Sequence, residues 1–441
     1  MRHKAIWVIF FLAILIIGSY IAYSQYAAGL YYLAGKYDRM MNPYGVDPDA
    51  PEPDEDDRAL HQSLFIADLH IDTLKWERDL LARSLFGHAD VPRLAEGNVG
   101  LQVFTIVTKS PLRMPAPWSS CVSGGMPDTN TVLAFLQGRP MFNLRDRAFY
   151  QIARFKEAVA RSKESAGPEL RLIETADDLS RLVADRLAGE DVIGGVLGIE
   201  GGHWIGGPDV RDEDVRAAMR ELHVAGVRLF APTHRFDNSL SGSSEGCEGY
   251  GLTAHGRAAL GEAEALGMVV DLAHISSAGL RDAADLLESP FTVSHTGIRA
   301  ECEAPCQPDR NLSDDDIKRV IAGGGVIGVG FWPQAIGPSV WRIAEVMAHI
   351  KDLARELGVE DPSHHVALGS DYDGSVTPLI EVGHLNVITA IMRQRSQPFG
   401  PTDIRNIMGA NVCRLFATVL PGGSAETAPA ICAGAAAANG G

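Results

Sequence analysis

Eight short runs of β-branched and apolar residues recur along this chain, and segments of helical period separate most of them. They are "FIADLHID" (65–72), "LQVFTIVT" (101–108), "VIGGVLGIEG" (192–201), "VRLFAPTH" (227–234), "MVVDLAH" (268–274), "FTVSHTG" (291–297), "VIGVGFW" (326–332) and "VALGSDYDG" (366–374). Near-continuous apolar runs suit strands buried on both faces, and strand–helix alternation builds a parallel sheet. Eight such units predict an α/β fold arranged as a (β/α)8 TIM-like barrel. The second unit is stretched by an insertion over about residues 109–150, with several Pro, Gly and Ser in its first half.

The ends of these runs carry the chemistry. In a strand, residues i and i+2 point to one side, so His70 and Asp72 project together. Glu200, His234, His274, His295 and the pair Asp371 and Asp373 stand at the ends of later runs. A barrel places its catalytic residues at the C-terminal rim, projecting from several strands toward one point. One histidine at a strand end is ordinarily structural. Six of eight runs ending in side chains suited to metal mark an active site. Histidine and carboxylate without cysteine suit zinc, with manganese, cobalt or iron as other candidates. Five ligands including one carboxylate able to bridge point to two metals about 3.5–4 Å apart, clamping a hydroxide. The fold class expected is therefore a barrel of the metal-dependent hydrolase type.

The chain termini read differently. "MRHK" is followed by apolar sequence, and no charged residue occurs from Ala5 to Gly35. About 20 apolar residues cross a bilayer as a helix, and basic residues on the N-terminal flank hold that end in the cytoplasm. Residues 1–36 are expected to be a membrane anchor; a cleaved signal peptide is the competing reading, with Ala22-Tyr23-Ser24 supplying small residues. Both export the catalytic domain from the cytoplasm, the first to the membrane and the second to a secreted or periplasmic location. Residues 37–60, acidic and proline-rich, read as a linker. Residues 61–420 hold the barrel, and 421–441 form a low-complexity tail expected to be loose. The formal charge of −17 argues against a nucleic-acid partner. None of the six cysteines makes a CxxC zinc pattern. Cys302 and Cys306 flank a short loop and could pair, Cys121 and Cys247 lie in long loops of one face, and connectivity is left open.

Taken in order, the motifs resemble the membrane dipeptidase (renal dipeptidase) family of zinc peptidases, from about Leu64 to Leu420. "DLHIDT" is similar to the family's opening H-x-D, and "GIEGGH" to its E-G-G-H segment. "APTH", "DLAHIS" and "VSHTG" are similar to its later histidine motifs. "PDRNLSDD" resembles its R-N-[LV]-x-D segment and "GSDYDG" its D-[FY]-D-G. The resemblance implies a zinc-dependent dipeptidase with two zinc ions per chain, acting through a metal-bridging hydroxide. It implies that His70 and Asp72 bind one zinc, His274 and His295 the other, and Glu200 bridges both. His234 is implied to face the substrate carbonyl, Arg310 to meet the terminal carboxylate, and Asp371 to meet the amino group and handle protons. The partners expected are dipeptides, the membrane through the N-terminal segment, and a second copy in a homodimer.

The nearest rival is another binuclear amidohydrolase of deaminase or lactonase type. Those barrels typically open on H-x-H and bridge with a carboxylated lysine, where this chain has H-x-D and Glu200. A scaffold that has lost catalysis is a further alternative, because fold alone implies no activity. It should lack a ligand, and none is missing. His203 is open between a supporting donor for Glu200 and a loop residue, and Asp373 reads as a turn residue before Gly374. His88, His223, His255, His349, His364, His365 and His384 are assigned no role.

Overall fold

The computed structural model describes residues 25–111, 121–205, 207, 209–300 and 302–436. The expected strands all form: β1 (Ile66–Ile71), β2 (Val99–Val107), β4 (Val192–Glu200), β5 (Val227–Ala231), β6 (Val269–Val270), β7 (Thr292–Thr296), β8 (Val326–Val329) and β9 (Val366–Leu368). They pair in parallel in the order β6-β5-β4-β2-β1-β9-β8-β7. A parallel bridge between Asp271 and Thr292 joins the two ends of that order. The fold is the expected TIM-like parallel α/β type.

A ninth strand was not foreseen. β3 (Glu169–Leu172) pairs with Val192–Gly195 of β4, and β5 pairs with β4 from Leu197 onward. "ELRL" is short and only partly buried, so it lacks the continuous apolar signature of its neighbours.

Two apolar clusters hold the molecule together. The larger joins the sheet to its surrounding helices, such as Leu144–Ser162 and Trp341–Glu356. The smaller gathers Ala67, Leu101, Val196, Leu229, Val269, Val326 and Ala367, from around the ring, against Val412 and Phe416 of the helix Asn411–Val419. That helix therefore stops one end of the barrel. The opposite end, where the strands finish, is left to polar side chains.

The described residues on both flanks of the expected barrel pack against it. Residues 25–41 are helical, and the stretch read as a linker packs on the barrel. Arg78 Nε donates to buried Asp38 at 2.9 Å, Tyr44 Oη to the His88 carbonyl at 3.0 Å, and the Val340 amide to Asp47 at 2.7 Å. Its acidic residues are satisfied by partners far away in sequence, which composition cannot display. The tail is likewise packed as far as residue 436: Cys432 is bonded to Cys413, and Ala428 and Ala435 are buried. Small residues give little hydropathic contrast, yet they permit close approach. A Cβ at Gly434 would lie 2.1 Å from Leu187. The other disulfides are Cys121–Cys247 and Cys302–Cys306. Among the described residues no helix is long and apolar enough to cross a membrane, and the segment 1–24 that motivates the anchor lies outside them.

Asp373 stands in a turn, as expected, but its carboxylate is a buried hub. It accepts from Thr73 Oγ1 at 2.7 Å and from the amides of His88 and Ala89 at 2.7 and 3.2 Å. Arg78 lies 2.6 Å from it and also holds Asp38. Burial works to raise the Asp373 pKa, but Arg78, His88 and these donors outweigh it and hold the carboxyl down to about 2. Its stabilisation is thus complete above the ordinary carboxylate pKa of about 4 and is lost as pH falls toward 2. Asp373→Ala takes from the buried Arg78 guanidinium one of its two carboxylate partners, leaving it only Asp38, and should lower the unfolding free energy by about 3–5 kcal/mol at pH 7. Urea titration checks this; a change below about 1 kcal/mol would show that the network is not structural.

Candidate metal centre and active site

The site is built from the strand ends upward. His70 closes β1 with Asp72 just beyond it, and Glu200 is the last residue of β4. His234 and His274 follow β5 and β6, His295 lies within β7, and Asp371 follows β9. Arg310 arrives on a short turn of helix, Pro308–Arg310. His274 (φ 61°) and Asp371 (φ 57°) adopt the left-handed conformation that side chains other than glycine rarely take. Such strain persists only where the surroundings over-determine it.

These side chains meet. His274 Nε2 lies 2.9 Å from Glu200 Oε1, and His295 Nε2 lies 3.4 Å from the same oxygen. His70 Nε2 is 3.3 Å from Asp72 Oδ1 and 4.0 Å from Asp371 Oδ1. His234 Nε2 is 3.4 Å from the other Glu200 oxygen. All are buried, and all but His70 border a cavity of about 460 Å³.

Hydrogen bonding fixes which ring nitrogens face inward. Ser294 Oγ has one hydrogen, and it donates that to Asp271 at 2.6 Å. It can therefore only accept from His295 Nδ1 at 2.8 Å and His70 Nδ1 at 3.2 Å. Both Nδ1 atoms carry protons, so each Nε2 presents a lone pair when its ring is neutral, the form a cation would select. An Arg310 N–H lies 3.2 Å from His274 Nε2, and a guanidinium can only donate, so that nitrogen is an acceptor too. The remaining His274 proton, on Nδ1, faces Glu245 Oε2 at 3.4 Å. Glu245 is clamped in turn by Arg235 at 2.7 and 2.9 Å. His234 Nδ1 donates to the Lys109 carbonyl at 2.8 Å, so its Nε2 donates only as imidazolium.

This arrangement asks for a cation. The lone pairs of His274 and His295 face each other at 3.0 Å. His70 Nε2, Asp72 Oδ1 and Glu200 Oε1 are buried without any hydrogen-bond partner. Burial and then the carboxylates of Asp72 and Asp371 push the Glu200 pKa well up, with His70 opposing. Burial opposes charge on His70, yet Glu200, Asp72 and Asp371 raise its pKa to about 10. A set of imidazole and carboxylate atoms without thiolate, crowded and unpartnered, fits a metal centre of zinc type.

Sequence reading passed over four residues here. Glu245, Ser294 and Asp271 orient the inward-facing histidines. Lys75 is buried at the cavity wall, its Nζ 3.1 Å from Ser375 Oγ, and burial lowers its pKa. Asp271 and Ser294 each sit three residues or fewer before a singled-out histidine, a signal that the H-x-D motif alone does not supply. Among the described residues His203 makes no hydrogen bond to Glu200; it packs edge-on against Phe236.

A parallel α/β barrel with an imidazole–carboxylate cluster at the strand ends defines the class of metal-dependent hydrolases. Comparison with known proteins narrows this. The profile of the family described as Membrane dipeptidase (Peptidase family M19) matches residues 55–424, and this chain belongs to that family. It is a metallo-dipeptidase, a hydrolase of peptide bonds. It is similar to an uncharacterized dipeptidase of Schizosaccharomyces pombe, 28% identical over 344 residues that cover 75% of this chain and 72% of the relative. It is also similar to the dipeptidase tcpJ of Claviceps purpurea, 26% identical over 344 residues, 76% of this chain and 70% of the relative. The fold resembles that of a metallo peptidase from Rhodobacter sphaeroides, crystallised with a phosphinate mimic of L-Ala-D-Ala. That likeness has a TM-score of 0.60 at 21% identity and covers 81% of this chain and 99% of the other.

If Ser294 fixes two ring tautomers, Ser294→Ala should weaken metal binding about 10–100-fold, the usual worth of such an outer hydrogen bond. Competition with a chelator, alongside circular dichroism to show a retained fold, measures it. Wild-type affinity in the variant would mean that packing alone orients His70 and His295.

Proposed function

We propose that this metallo-dipeptidase works with two zinc ions per chain, one held by His70 and Asp72 and the other by His274 and His295, with Glu200 shared. The observation that carries the reading is the presence of two adjoining groups of buried ligand atoms, Glu200 with His274 and His295, and His70 with Asp72 and Asp371, the atoms of each group lying within 4.8 Å of one another. Zinc ions held there supply the positive charge that makes a water molecule acidic near neutral pH and polarises the substrate carbonyl.

The chain's own residues supply the rest. Arg310 is a buried guanidinium at the cavity edge, and its planar fork matches a free carboxylate. A substrate held that way must end one residue past the scissile bond, which selects dipeptides. Asp371 accepts the substrate's ammonium group and passes a proton to the departing amine. His234 faces the substrate carbonyl. With Nδ1 committed to Lys109, its Nε2 donates to that oxygen once it takes a proton released by the attacking water, and it gives that proton up again as the tetrahedral centre collapses.

We further propose that residues 1–36 hold this domain at the membrane on the far side from the cytoplasm. Three disulfides suit an oxidising compartment. Membrane fractionation with N-terminal sequencing tests the anchor, and a mature chain starting near Gln25 would replace it with a cleaved signal.

Kinetics with dipeptides, matched tripeptides and C-terminal amides, L-Ala-D-Ala included, test the site roles. Asp371→Asn should keep the metal content and lose about 10²–10⁴ in kcat. Arg310→Ala should lose about 2–4 kcal/mol, chiefly through KM for dipeptides. A wild-type enzyme equally active on dipeptides and amides, or an unchanged Asp371→Asn variant, would overturn these assignments.

A further inference from the structure

The family profile begins at residue 55, yet the cavity wall begins earlier. Tyr37, Met40, Met41 and Pro43, at the end of the helix 25–41 and just beyond it, all line the cavity. Their placement is built rather than incidental. Asp38, one turn away, is buried and accepts from Arg78 Nε at 2.9 Å and Asn42 Nδ2 at 2.7 Å. Arg78 continues to Asp373, 2.6 Å away. Asn42 Oδ1 accepts from the Ser375 amide at 3.1 Å, and the Gly45 amide donates to the Pro378 carbonyl at 3.1 Å. The helix end is thus clamped to the loop 371–378, which carries Asp371. Behind it Tyr37 packs on Trp76, with ring centroids 6.2 Å apart. Met40 remains 65% exposed although it borders a cavity, so an apolar surface faces the space that substrate enters.

We infer that Tyr37, Met40 and Met41 form the subsite for the side chain of the substrate's amino-terminal residue, and that it favours bulky apolar side chains. This rests on the reading that places Asp371 at the substrate amino group, because the clamp ties the wall to that loop. Unbranched thioethers adapt to different apolar shapes, which suits a pocket taking several related side chains. The selectivity of this enzyme is then set in part by a segment that precedes its family's shared sequence.

The test compares Leu-Gly and Phe-Gly with Gly-Gly, so that only the amino-terminal side chain varies. In the full chain loaded with zinc, the double substitution Met40→Ser with Met41→Ser should reduce kcat/KM for Leu-Gly and Phe-Gly about 10–200-fold more than for Gly-Gly. Met40→Leu with Met41→Leu should preserve the wild-type ratio. Partial unfolding lowers every substrate alike and leaves the ratio intact, so the ratio reports the subsite alone. An unchanged ratio in the serine variant would overturn the inference while leaving the dipeptidase site standing. A wild-type enzyme that cleaves none of the three would bring down both.

Discussion

Glu200 sits buried at the end of a central strand, with imidazole nitrogens on both of its oxygens and two further carboxylates close by. Burying charge and lone pairs together in this way is strongly unfavourable unless a cation shares the space. Neighbouring side chains hold the outer ring nitrogens of three histidines away from that point. Ser294, held by Asp271, takes the outer protons of His70 and His295, while Glu245, held by Arg235, faces the outer proton of His274. The barrel contributes the geometry, since neighbouring parallel strands deliver one side chain each to a common rim. The outer network contributes the orientation, without which the same residues would satisfy one another.

The fold was legible wherever burial is uniform. Runs such as "VIGGVLGIEG" and "VIGVGFW" are buried on both faces, so composition alone marks them, and the eight strands follow. β3 escaped because its four residues are mostly half-exposed. Residues 37–60 and 421–436 escaped for a different reason. Asp38, Asp47 and Asp57 look like a solvated linker, but each is buried beside partners that local sequence does not contain. The tail packs through alanine, glycine and a disulfide rather than through large apolar side chains.

The site divides in the same way. His70, Asp72, Glu200, His234, His274, His295 and Asp371 stand out because metal-capable residues at successive strand ends are improbable by chance, and the structure does bring them together. Arg310 was reached through a motif resemblance, since nothing in its local pattern places it beside His274. Ser294, Asp271 and Glu245 stayed hidden, being ordinary polar residues whose importance lies in which nitrogen they address. Lys75 and the methionines of the N-terminal helix were equally silent. Lys75 follows β1 directly, whereas the methionines reach the cavity wall on a helix that lies outside the barrel.

That closure alters how the molecule is divided. The helix 25–41 was set down as part of an anchor and linker, yet its end shares walls with the strand-end cluster and is joined to the Asp371 loop through Arg78 and Asn42. Tyr37 thus stands in the wall of the same cavity as Glu200. What occupies the space around Glu200 decides how this site works. Crystals of zinc-loaded protein, with anomalous difference density collected at the zinc edge, address this directly. Two peaks about 3.5–4 Å apart are predicted, one beside His70 and Asp72 and one beside His274 and His295, with Glu200 between them. A single peak, or density away from Glu200, would contradict it.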